Sequence, residues 1–387
     1  MARKVWGSLK TIIIEALSAL QGGGKTYLKN LFMYYKAYPN TRVIAFVPAK
    51  FKEEFTTNNQ IEIRVSEFAS KGIMQRIFWN TFILPGILKK LKADVLYSPG
   101  GFLATRQVRK CRTAVAFRNM LPFLPDERTR YAWGKTRARL WLLKHIQGAS
   151  FRDADLVIFI SKFAKSVIDL TAGNRQGQSL VVPHGLNNYF LGTQPRPDDP
   201  KLPDEYVLYV SILSVYKSQV EVVKAWSQLR ASRPTKEKLL LVGPDQPPYG
   251  EKVRQTIIEL GLEEEVLLFG NVPYSQLPGY YQHAKVNIFA SSCENCPNIL
   301  LEALAAGQPV LCSDYQPMPE FGAEAVKYFD PYNPKQLSTL LQKVLDNPEL
   351  RIELGKRAMQ RAQDFQWDIS AKRTWDALID LANKEQI

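Results

Sequence analysis

Two carboxylates eight residues apart flank the start of a predicted helix. Glu294 precedes the helix and Glu302 lies inside it, and Pro297 between them suits a first-turn position. The N–H groups at a helix start, together with the helix dipole, attract anions, and carboxylates accept hydrogen bonds from hydroxyls. The combination suits a sugar nucleotide. The N–H groups expected to be unpaired are those of Asn298, Ile299 and Leu300.

The chain has 387 residues, of which 45% are hydrophobic and 23% charged. This length exceeds the usual size of one core, so two domains are expected. The apolar run that begins at Thr11 stops at Glu15, far short of a membrane span. Four cysteines do not form a disulfide framework in so long a chain. We therefore expect a reduced, cytoplasmic protein.

Charge is distributed unevenly along the chain. Residues 1–190 hold 30 Lys and Arg against 11 Asp and Glu, whereas residues 191–387 hold 21 against 26. Such asymmetry indicates that the first half faces an anionic surface or substrate, with solvated surface lysine as the alternative.

Short apolar runs alternate with helical segments in the first half. This alternation predicts a parallel sheet with helices on both faces. The predicted strands are 10–14, 42–47, 95–97, 113–117, 156–160 and 180–182. The predicted helices are 25–38, 72–91 and 129–147.

The second half repeats the alternation and predicts a second α/β domain. A proline-rich stretch, 192–203, is predicted to link the two domains. Ligands of such domains bind at the carboxyl ends of the strands. The predicted strands are 207–210, 238–242, 266–269, 286–290 and 310–312. The predicted helices are 219–230, 252–260, 277–283, 298–306, 334–346, 348–364 and 367–384.

Motifs in a fixed order carry a resemblance to a known family. They include Gly22-Gly23-Gly24, Val182-Pro183-His184-Gly185, Leu241-Val242-Gly243, Phe269-Gly270-Asn271-Val272 and the block from Glu294 to Glu302. The chain resembles the retaining, nucleotide-sugar-dependent glycosyltransferases of the GT-B fold, in the group 1 family (family 4). The resemblance implies an α/β GT-B architecture of two Rossmann-like domains. Residues 1–190 with 366–387 would bind the acceptor, and residues 191–365 the donor.

The resemblance also implies roles for single residues. Glu302 would accept hydrogen bonds from the ribose, and Glu294 would lie beside the transferred sugar. Lys217 matches the family's basic residue on the diphosphate, where a cation stabilises charge as the glycosidic bond breaks. No metal or other cofactor is expected. The remaining donor-binding residues would be Gly23, Gly24, His184, Gly185, Gly243, Asn271, Val272, Asn295, Cys296, Pro297, Asn298 and Ile299.

The chain departs from the family pattern at two places. An arginine that usually precedes the lysine is replaced here by Ser211 or Ile212, so either another cation substitutes or Lys217 acts with helix N–H groups alone. A histidine that many relatives carry after the strand ending near residue 117 is also missing. Arg118 and Asn119 stand there and are predicted to be catalytic.

Two other motifs are set aside. The sequence Gly24-Lys25-Thr26 suggests a phosphate-binding P-loop, but Ala19 stands where that motif needs glycine. Cys293 and Cys296 have the spacing of metal ligands, yet no second Cys/His pair completes a site. The glycines are better explained by a tight turn that a phosphate or sugar can approach.

The basic, aromatic-rich segment 128–146 allows two interpretations. It either binds a membrane interface, as a lipid-linked acceptor would favour, or packs its aromatics into the core. The sequence leaves open GDP-mannose or another GDP- or UDP-hexose as donor, and a glycan or a lipid-linked molecule as acceptor. The alternatives to transfer are a non-catalytic nucleic-acid-binding protein, a phosphorylase and an epimerase.

Overall fold

The computed structural model describes residues 8–18, 23–55, 58–103 and 111–384. The chain forms two compact units. The first unit comprises residues 1–123, 133–185 and 367–387, and the second comprises 124–132 and 186–366. Gly22, part of the glycine motif, lies outside the described residues.

The first unit is built on a seven-stranded parallel sheet with the order β3-β2-β1-β4-β5-β6-β7. Its strands are β1 (Lys10–Glu15), β2 (Thr41–Val47), β3 (Ile61–Val65), β4 (Val95–Ser98), β5 (Arg112–Phe117), β6 (Leu156–Phe159) and β7 (Gln178–Val181). Its helices are α1 (Gly23–Met33), α2 (Lys52–Phe55), α3 (Glu67–Ser70), α4 (Ile73–Phe78), α5 (Leu84–Lys90), α7 (Lys135–Asp153), α8 (Lys162–Thr171) and α16 (Trp367–Asn383). Helix α6 (Pro125–Thr129) belongs to the second unit.

Helices cover both faces of this sheet, as the continuous apolar strands require. On one face, α1 and α16 pack on Ile12 and Ile14 of β1. Trp375 of α16 is buried there and donates its indole N–H to the Leu31 carbonyl, 2.9 Å away. The C-terminal helix is therefore an integral layer of the first unit.

The second unit has a six-stranded parallel sheet with the order β10-β9-β8-β11-β12-β13. Its strands are β8 (Tyr206–Val210), β9 (Lys238–Val242), β10 (Val266–Gly270), β11 (Val286–Phe289), β12 (Val310–Ser313) and β13 (Lys327–Phe329). Its remaining helices are α9 (Gln219–Ser232), α10 (Tyr249–Glu259), α11 (Leu277–His283), α12 (Asn298–Ala305), α13 (Met318–Gly322), α14 (Pro334–Leu345) and α15 (Pro348–Ala362).

The GT-B expectation of two parallel-sheet domains is confirmed, with several differences in detail. Strands β3 and β13 were not predicted, because β3 is only partly buried and β13 has three residues. The predicted helix 72–91 is divided by a π-helical turn at Trp79–Ile83. The predicted helix 129–147 is two helices, α6 and α7, and the chain crosses between units there.

The predicted linker, 192–203, is not a free connection. It packs within the second unit, where the Gln194 N–H donates to the Gln282 side chain at 2.8 Å and Asp199 accepts from the Tyr280 hydroxyl at 3.1 Å. The chain instead passes between units at residues 185/186 and 366/367. The proposed boundary at 190/191 is thus about five residues late.

Candidate active site

The order of strands in the second unit explains where its functional residues gather. Strands β8 and β11 are neighbours in the sheet although five helices and strands separate them in sequence. They flank the point where the strand order reverses, and open α/β sheets bind ligands in the crevice at that point. The loop after β8 carries Lys217 and the loop after β11 carries Glu294.

Lys217 and Glu294 form an ion pair at this switch point. The side chain of Lys217 is 6% exposed and that of Glu294 is 16% exposed. The ammonium also lies 5.1 Å from the Tyr216 ring and 5.5 Å from the Phe289 ring. A charge so shielded from water needs a partner, since an unpaired one is costly to bury. The two residues predicted to be catalytic in this unit are therefore in direct contact.

Hydrogen bonds attach the turn that carries Lys217 to the loop that carries Glu294 and to strand β8. The Tyr216 carbonyl accepts from the Ser292 N–H at 2.8 Å, and the Tyr209 hydroxyl donates to the Lys217 carbonyl at 2.6 Å. Ser218 adopts a left-handed conformation at φ 54°, which ends the turn and starts α9. The position of the ammonium is thus set by a rigid turn and not by the lysine side chain alone.

The start of α12 differs from the expectation of three unpaired N–H groups. The Asn298 N–H donates to the Cys296 carbonyl at 3.0 Å, and the Leu300 N–H donates to the Pro297 carbonyl at 2.9 Å. Pro297 has ψ 80° and stands before the helix, not in its first turn. Among the described residues, only Ile299 of the three keeps an N–H without a backbone partner. Asn295, Cys296 and Pro297 form the buried loop that leads into this start.

Glu302 lies on α12 and is almost completely buried, at 7% exposure. It accepts a hydrogen bond from the Tyr274 hydroxyl at 2.8 Å and a longer one from Tyr281 at 3.5 Å. Burial raises the pKa of Glu302 to about 7, against the lowering effect of the two tyrosines. The sequence pattern identified the carboxylate but not its tyrosine partners, which are distant along the chain.

The backbone at Gly243, the glycine predicted after β9, leaves no room for a side chain. Gly243 has φ 144°, and a Cβ there would lie 2.0 Å from the Ser211 carbonyl oxygen. Only glycine permits this approach between the ends of β8 and β9. Asn271 and Val272 follow β10 on the same edge of the sheet. All three predicted donor residues therefore lie at carboxyl ends of second-unit strands.

The other predicted residues lie in the first unit. Gly23 and Gly24 open α1, and the His184 ring contacts the Tyr27 and Trp367 rings, whose centroids are 5.6 and 5.2 Å away. His184 is 4% exposed, and Gly185 after it is also buried.

The two catalytic candidates after β5 differ in their surroundings. The Arg118 guanidinium lies over the Tyr27 ring at 3.5 Å. Asn119 is exposed, and its side-chain oxygen accepts from the Leu121 N–H at 3.2 Å, which stabilises a turn.

Glu15, at the carboxyl end of β1, was not recognised from the sequence. It is 1% exposed and accepts hydrogen bonds from Ser18 at 3.0 Å and Ser98 at 3.3 Å. Burial raises its pKa to about 7. Its position at the end of an apolar strand made it look like a simple strand terminus.

Arg130 is a second residue that the sequence did not single out for this site. Segment 124–132 belongs to the second unit, and the Arg130 guanidinium donates to the Val215 carbonyl at 2.9 Å and the Ser292 hydroxyl at 3.2 Å. It is also paired with buried Glu127, which accepts from the Tyr332 hydroxyl at 2.9 Å. Arg130 therefore joins the turn that carries Lys217 to the loop that carries Glu294.

This contact bears on the arginine missing from the family pattern. At the two positions concerned, Gln219 donates its side-chain N–H groups to the Ser211 hydroxyl at 2.7 Å and the Ile212 carbonyl at 2.8 Å. A guanidinium nevertheless reaches the same turn, through Arg130. No sequence pattern signals this, because residue 130 is 85 positions from residue 215.

The residues described by the structure contain no group of three or more His, Cys, Asp or Glu side chains able to hold a metal ion. Cys293 and Cys296 are both buried, and burial together with nearby Glu294 raises the pKa of the Cys293 thiol. A neutral thiol is a poor metal ligand, because coordination requires the thiolate.

Replacement of Arg130 by Ala should destabilise the second unit and reduce turnover. It leaves Glu127 buried without its cation, which we expect to cost about 2 kcal/mol after allowance for the partial exposure of Arg130. Thermal unfolding measures this cost. The double change Glu127→Gln with Arg130→Met should recover most of the stability but not the activity, because the brace between the loops is still missing.

Arg357→Ala, which breaks an exposed pair with Glu353 on α15, is the matched control and should have little effect. If Arg130→Ala behaves like this control in both stability and turnover, Arg130 does not hold the site together.

The chain is similar to several known proteins. Residues 193–361 match the family described as "Glycosyl transferases group 1". The O-antigen chain mannosyltransferase B of Escherichia coli is 22% identical over 299 residues, which cover 75% of each chain. The D-inositol 3-phosphate glycosyltransferase of Corynebacterium efficiens is 26% identical over 172 residues, or 43% of this chain and 40% of that protein.

Among solved structures, the Anabaena protein HepE in complex with UDP-glucose has the same fold. Its TM-score is 0.71 at 15% identity, over 96% of this chain and 99% of that one. The family match covers the unit that holds Lys217, Glu294 and Glu302, and the structural match covers both units. The second unit is thus similar to the glycosyl transferases group 1 family, and the chain as a whole has the GT-B fold.

Proposed function

We propose that this protein transfers a hexose from a nucleoside-diphosphate sugar to a hydroxyl of a glycan or lipid-linked acceptor, with retention of configuration. The observation that carries the proposal is the shielded Lys217–Glu294 pair beside the start of α12, with Glu302 deeper in the same unit. One constellation thus offers a cation for phosphate and two carboxylates for sugar hydroxyls.

In this proposal the donor diphosphate lies against Lys217 and the Ile299 N–H. A lysine ammonium has three N–H donors, and Glu294 uses one of them, so two are left for phosphate oxygens. Glu294 orients the hexose, and Glu302 accepts from the ribose. No metal is needed, because the ammonium and the helix start carry the charge stabilisation.

The transfer step breaks the bond between the anomeric carbon and the phosphate oxygen, and its electron pair stays on the phosphate. The acceptor oxygen forms the new bond on the same face, and its proton passes to the departing phosphate oxygen. Lys217 stabilises the charge that grows on the phosphate during this step. Arg118 and Asn119 are the catalytic candidates of the first unit, and Gly23, Gly24, His184 and Gly185 are its donor-binding candidates.

The relatives support the choice of donor class. The E. coli relative is named a mannosyltransferase, and the Anabaena structure holds UDP-glucose. A GDP- or UDP-hexose is therefore the donor to test first. The family match leaves the nucleic-acid-binding, phosphorylase and epimerase alternatives without a supporting observation.

Lys217→Ala and Glu294→Ala should each remove most of the turnover, because each deletes one half of the charged constellation. We expect a fall of at least about 100-fold in transfer from the preferred donor. Each change also leaves the other charge shielded and unpaired, so unfolding temperatures must be measured beside activity. The conservative Lys217→Arg and Glu294→Gln variants separate lost chemistry from lost folding. Near-normal turnover in both alanine variants would refute the assignment.

Glu302 should make donor binding depend on pH. Its pKa is raised to about 7, so the carboxyl is mostly protonated at pH 6 and mostly ionised at pH 8. Ribose hydroxyls donate more strongly to the carboxylate, and the affinity for an intact nucleotide sugar should rise between pH 6 and 8. Calorimetry on wild type and Glu302→Gln measures this rise.

The Glu302→Gln variant should bind more weakly at pH 8 and show a flatter profile. Glu15 also has a pKa of about 7, but it lies in the other unit and is present in both proteins. Its contribution to the pH dependence is therefore the same in both. Parallel profiles for the two proteins would exclude Glu302 as the titrating group.

We further propose a cytoplasmic protein that works at the inner face of an anionic membrane. No helix among the described residues is long and apolar enough to cross a bilayer. The π-interrupted stretch from Ile73 to Lys90 nevertheless exposes Ile73, Met74 and Phe82 at 66, 70 and 68%. Ile77 and Phe78 extend this apolar surface.

The charges around the stretch complement an anionic bilayer. Residues 68–93 contain five basic side chains and no acidic one. Apolar residues flanked by cations are typical of helices that lie in a membrane interface. In the segment 128–146, by contrast, Trp133 and Trp141 are exposed at 85 and 58% while Leu140 is buried, so only part of that segment can contribute.

Met74→Ser with Phe82→Ser should abolish most binding to vesicles that contain anionic phospholipid at low salt. The apolar contribution is lost while the net charge stays the same. Leu170→Ser is the matched control, because Leu170 is 86% exposed on α8 of the same unit. Cosedimentation measures the bound fraction. Equal binding by both variants, or no binding by wild type, would contradict the membrane proposal.

A further inference from the structure

The guanidinium of Arg118 is shielded from water and has no acidic partner among the described residues. Its three guanidinium nitrogens are shielded from water, and none has a hydrogen-bond acceptor in good geometry among the described residues. Its guanidinium stacks on the Tyr27 ring at 3.5 Å, and such a contact offsets only part of the cost of removing the charge from water. An arginine in this state has N–H donors available for an anion.

The position of Arg118 follows from the alternation of side chains along β5. Ala114 and Ala116 face the layer formed by α1 and α16, and Arg118 continues the same face just beyond the end of the strand. Glu15, the nearby buried acid, shares the face of Ile13, which packs against the opposite layer. The sheet therefore lies between Glu15 and Arg118, and the acid does not neutralise the arginine.

The groups around Arg118 are suited to an oxyanion. The Tyr27 and Tyr97 hydroxyls are 2.6 Å apart, and because one donates to the other, the acceptor of that bond keeps its own O–H for a ligand. Burial raises the pKa of Tyr97, and the Arg118 guanidinium opposes this rise through its charge and a hydrogen bond to the hydroxyl that falls short of good geometry. Tyr27 is one turn into α1, and helical side chains lean toward the N-terminus, so its ring lies over the first turn of that helix.

We propose that Arg118, with the Tyr27–Tyr97 hydroxyl pair and the start of α1, binds a phosphate group of a substrate on the first unit. The fork of N–H donors on arginine matches phosphate oxygens, and a helix start adds further N–H groups for the same anion. The proposal rests on the proposed function for the identity of the substrate. Two sources supply this chemistry: the donor diphosphate and a phosphate-linked acceptor.

The test uses thermal unfolding of the full chain with inorganic phosphate and pyrophosphate as probes. Every protein in this test also carries Lys217→Ala, which removes the cation expected to bind anions in the second unit. Arg118→Met should weaken the apparent affinity for pyrophosphate by about 10-fold or more, whereas Arg139→Met, an exposed arginine on α7, should not. Equal responses in the two variants would overturn the proposal.

The stability of the protein without anion tests independently whether Arg118 has only a structural role. Removal of an unpaired buried charge should leave the unliganded Arg118→Met protein at least as stable as its parent. A clear loss of stability together with an unchanged pyrophosphate response would show that the arginine is purely structural. If Arg118→Met does not fold, Arg118→Lys keeps the charge without the fork and should bind pyrophosphate more weakly than the parent.

Titration with the nucleotide sugar then distinguishes the donor from the acceptor as the source of the phosphate. It uses proteins in which Lys217 is intact. If Arg118→Met weakens donor binding in parallel with pyrophosphate binding, the phosphate is that of the donor. If donor binding is unchanged while the pyrophosphate response is lost, the phosphate belongs to the acceptor. Absence of sugar transfer with the Arg118-dependent response intact would refute the proposed function and leave this site standing.

Discussion

The second unit depends on the pairing of two charges that neither loop can bury alone. Lys217 is surrounded by Tyr216, Phe289 and backbone, where a lone ammonium would be strongly disfavoured. Glu294 stabilises it from the neighbouring loop, and the hydrogen bonds around Tyr216 hold that geometry. A charged pair kept in this way is organised before a substrate arrives, so it does not need to reorganise during the reaction.

In each unit the candidate site residues lie at the edge of the sheet where the strands end. In the second unit the reversal of strand order between β8 and β11 brings the two charged loops together. In the first unit, β1 and β4 flank the equivalent reversal, and Glu15, Tyr97 and Arg118 lie at or near this edge. The edge is suited to chemistry because loops can carry polar groups there while the strands behind them stay apolar.

The two units differ in how their buried charges are neutralised. The second unit satisfies its buried charges internally, through Lys217 with Glu294 and Arg130 with Glu127. In the described part of the first unit Arg118 has no acidic partner, and this unit carries most of the basic excess of the chain. An internally neutral site holds its shape without ligand, whereas an unpaired cation makes stability depend on an anion. This contrast favours the first unit as the location of the proposed phosphate site.

Several features followed from local sequence. The apolar runs of β1, β2 and β8 predicted their strands, since a strand buried on both faces must be apolar throughout. Glu294 and Glu302 were recognised from their spacing around a helix start. Short or half-exposed strands such as β3 and β13 were missed, because their composition hardly differs from that of a loop. The breaks in the predicted helices at 79–83 and 130–134 were also missed.

The sequence by itself determined the alternating α/β pattern, the acidic pair around α12 and the charge imbalance between halves, because each depends on residues close together in the chain. Only the tertiary structure decided that Arg130 joins the second unit, that Tyr274 donates a hydrogen bond to Glu302 and that Arg118 meets no acid among the residues described. These facts depend on contacts between segments far apart in sequence. Local propensity carries no information about such contacts, which are set by how sheets and helices pack.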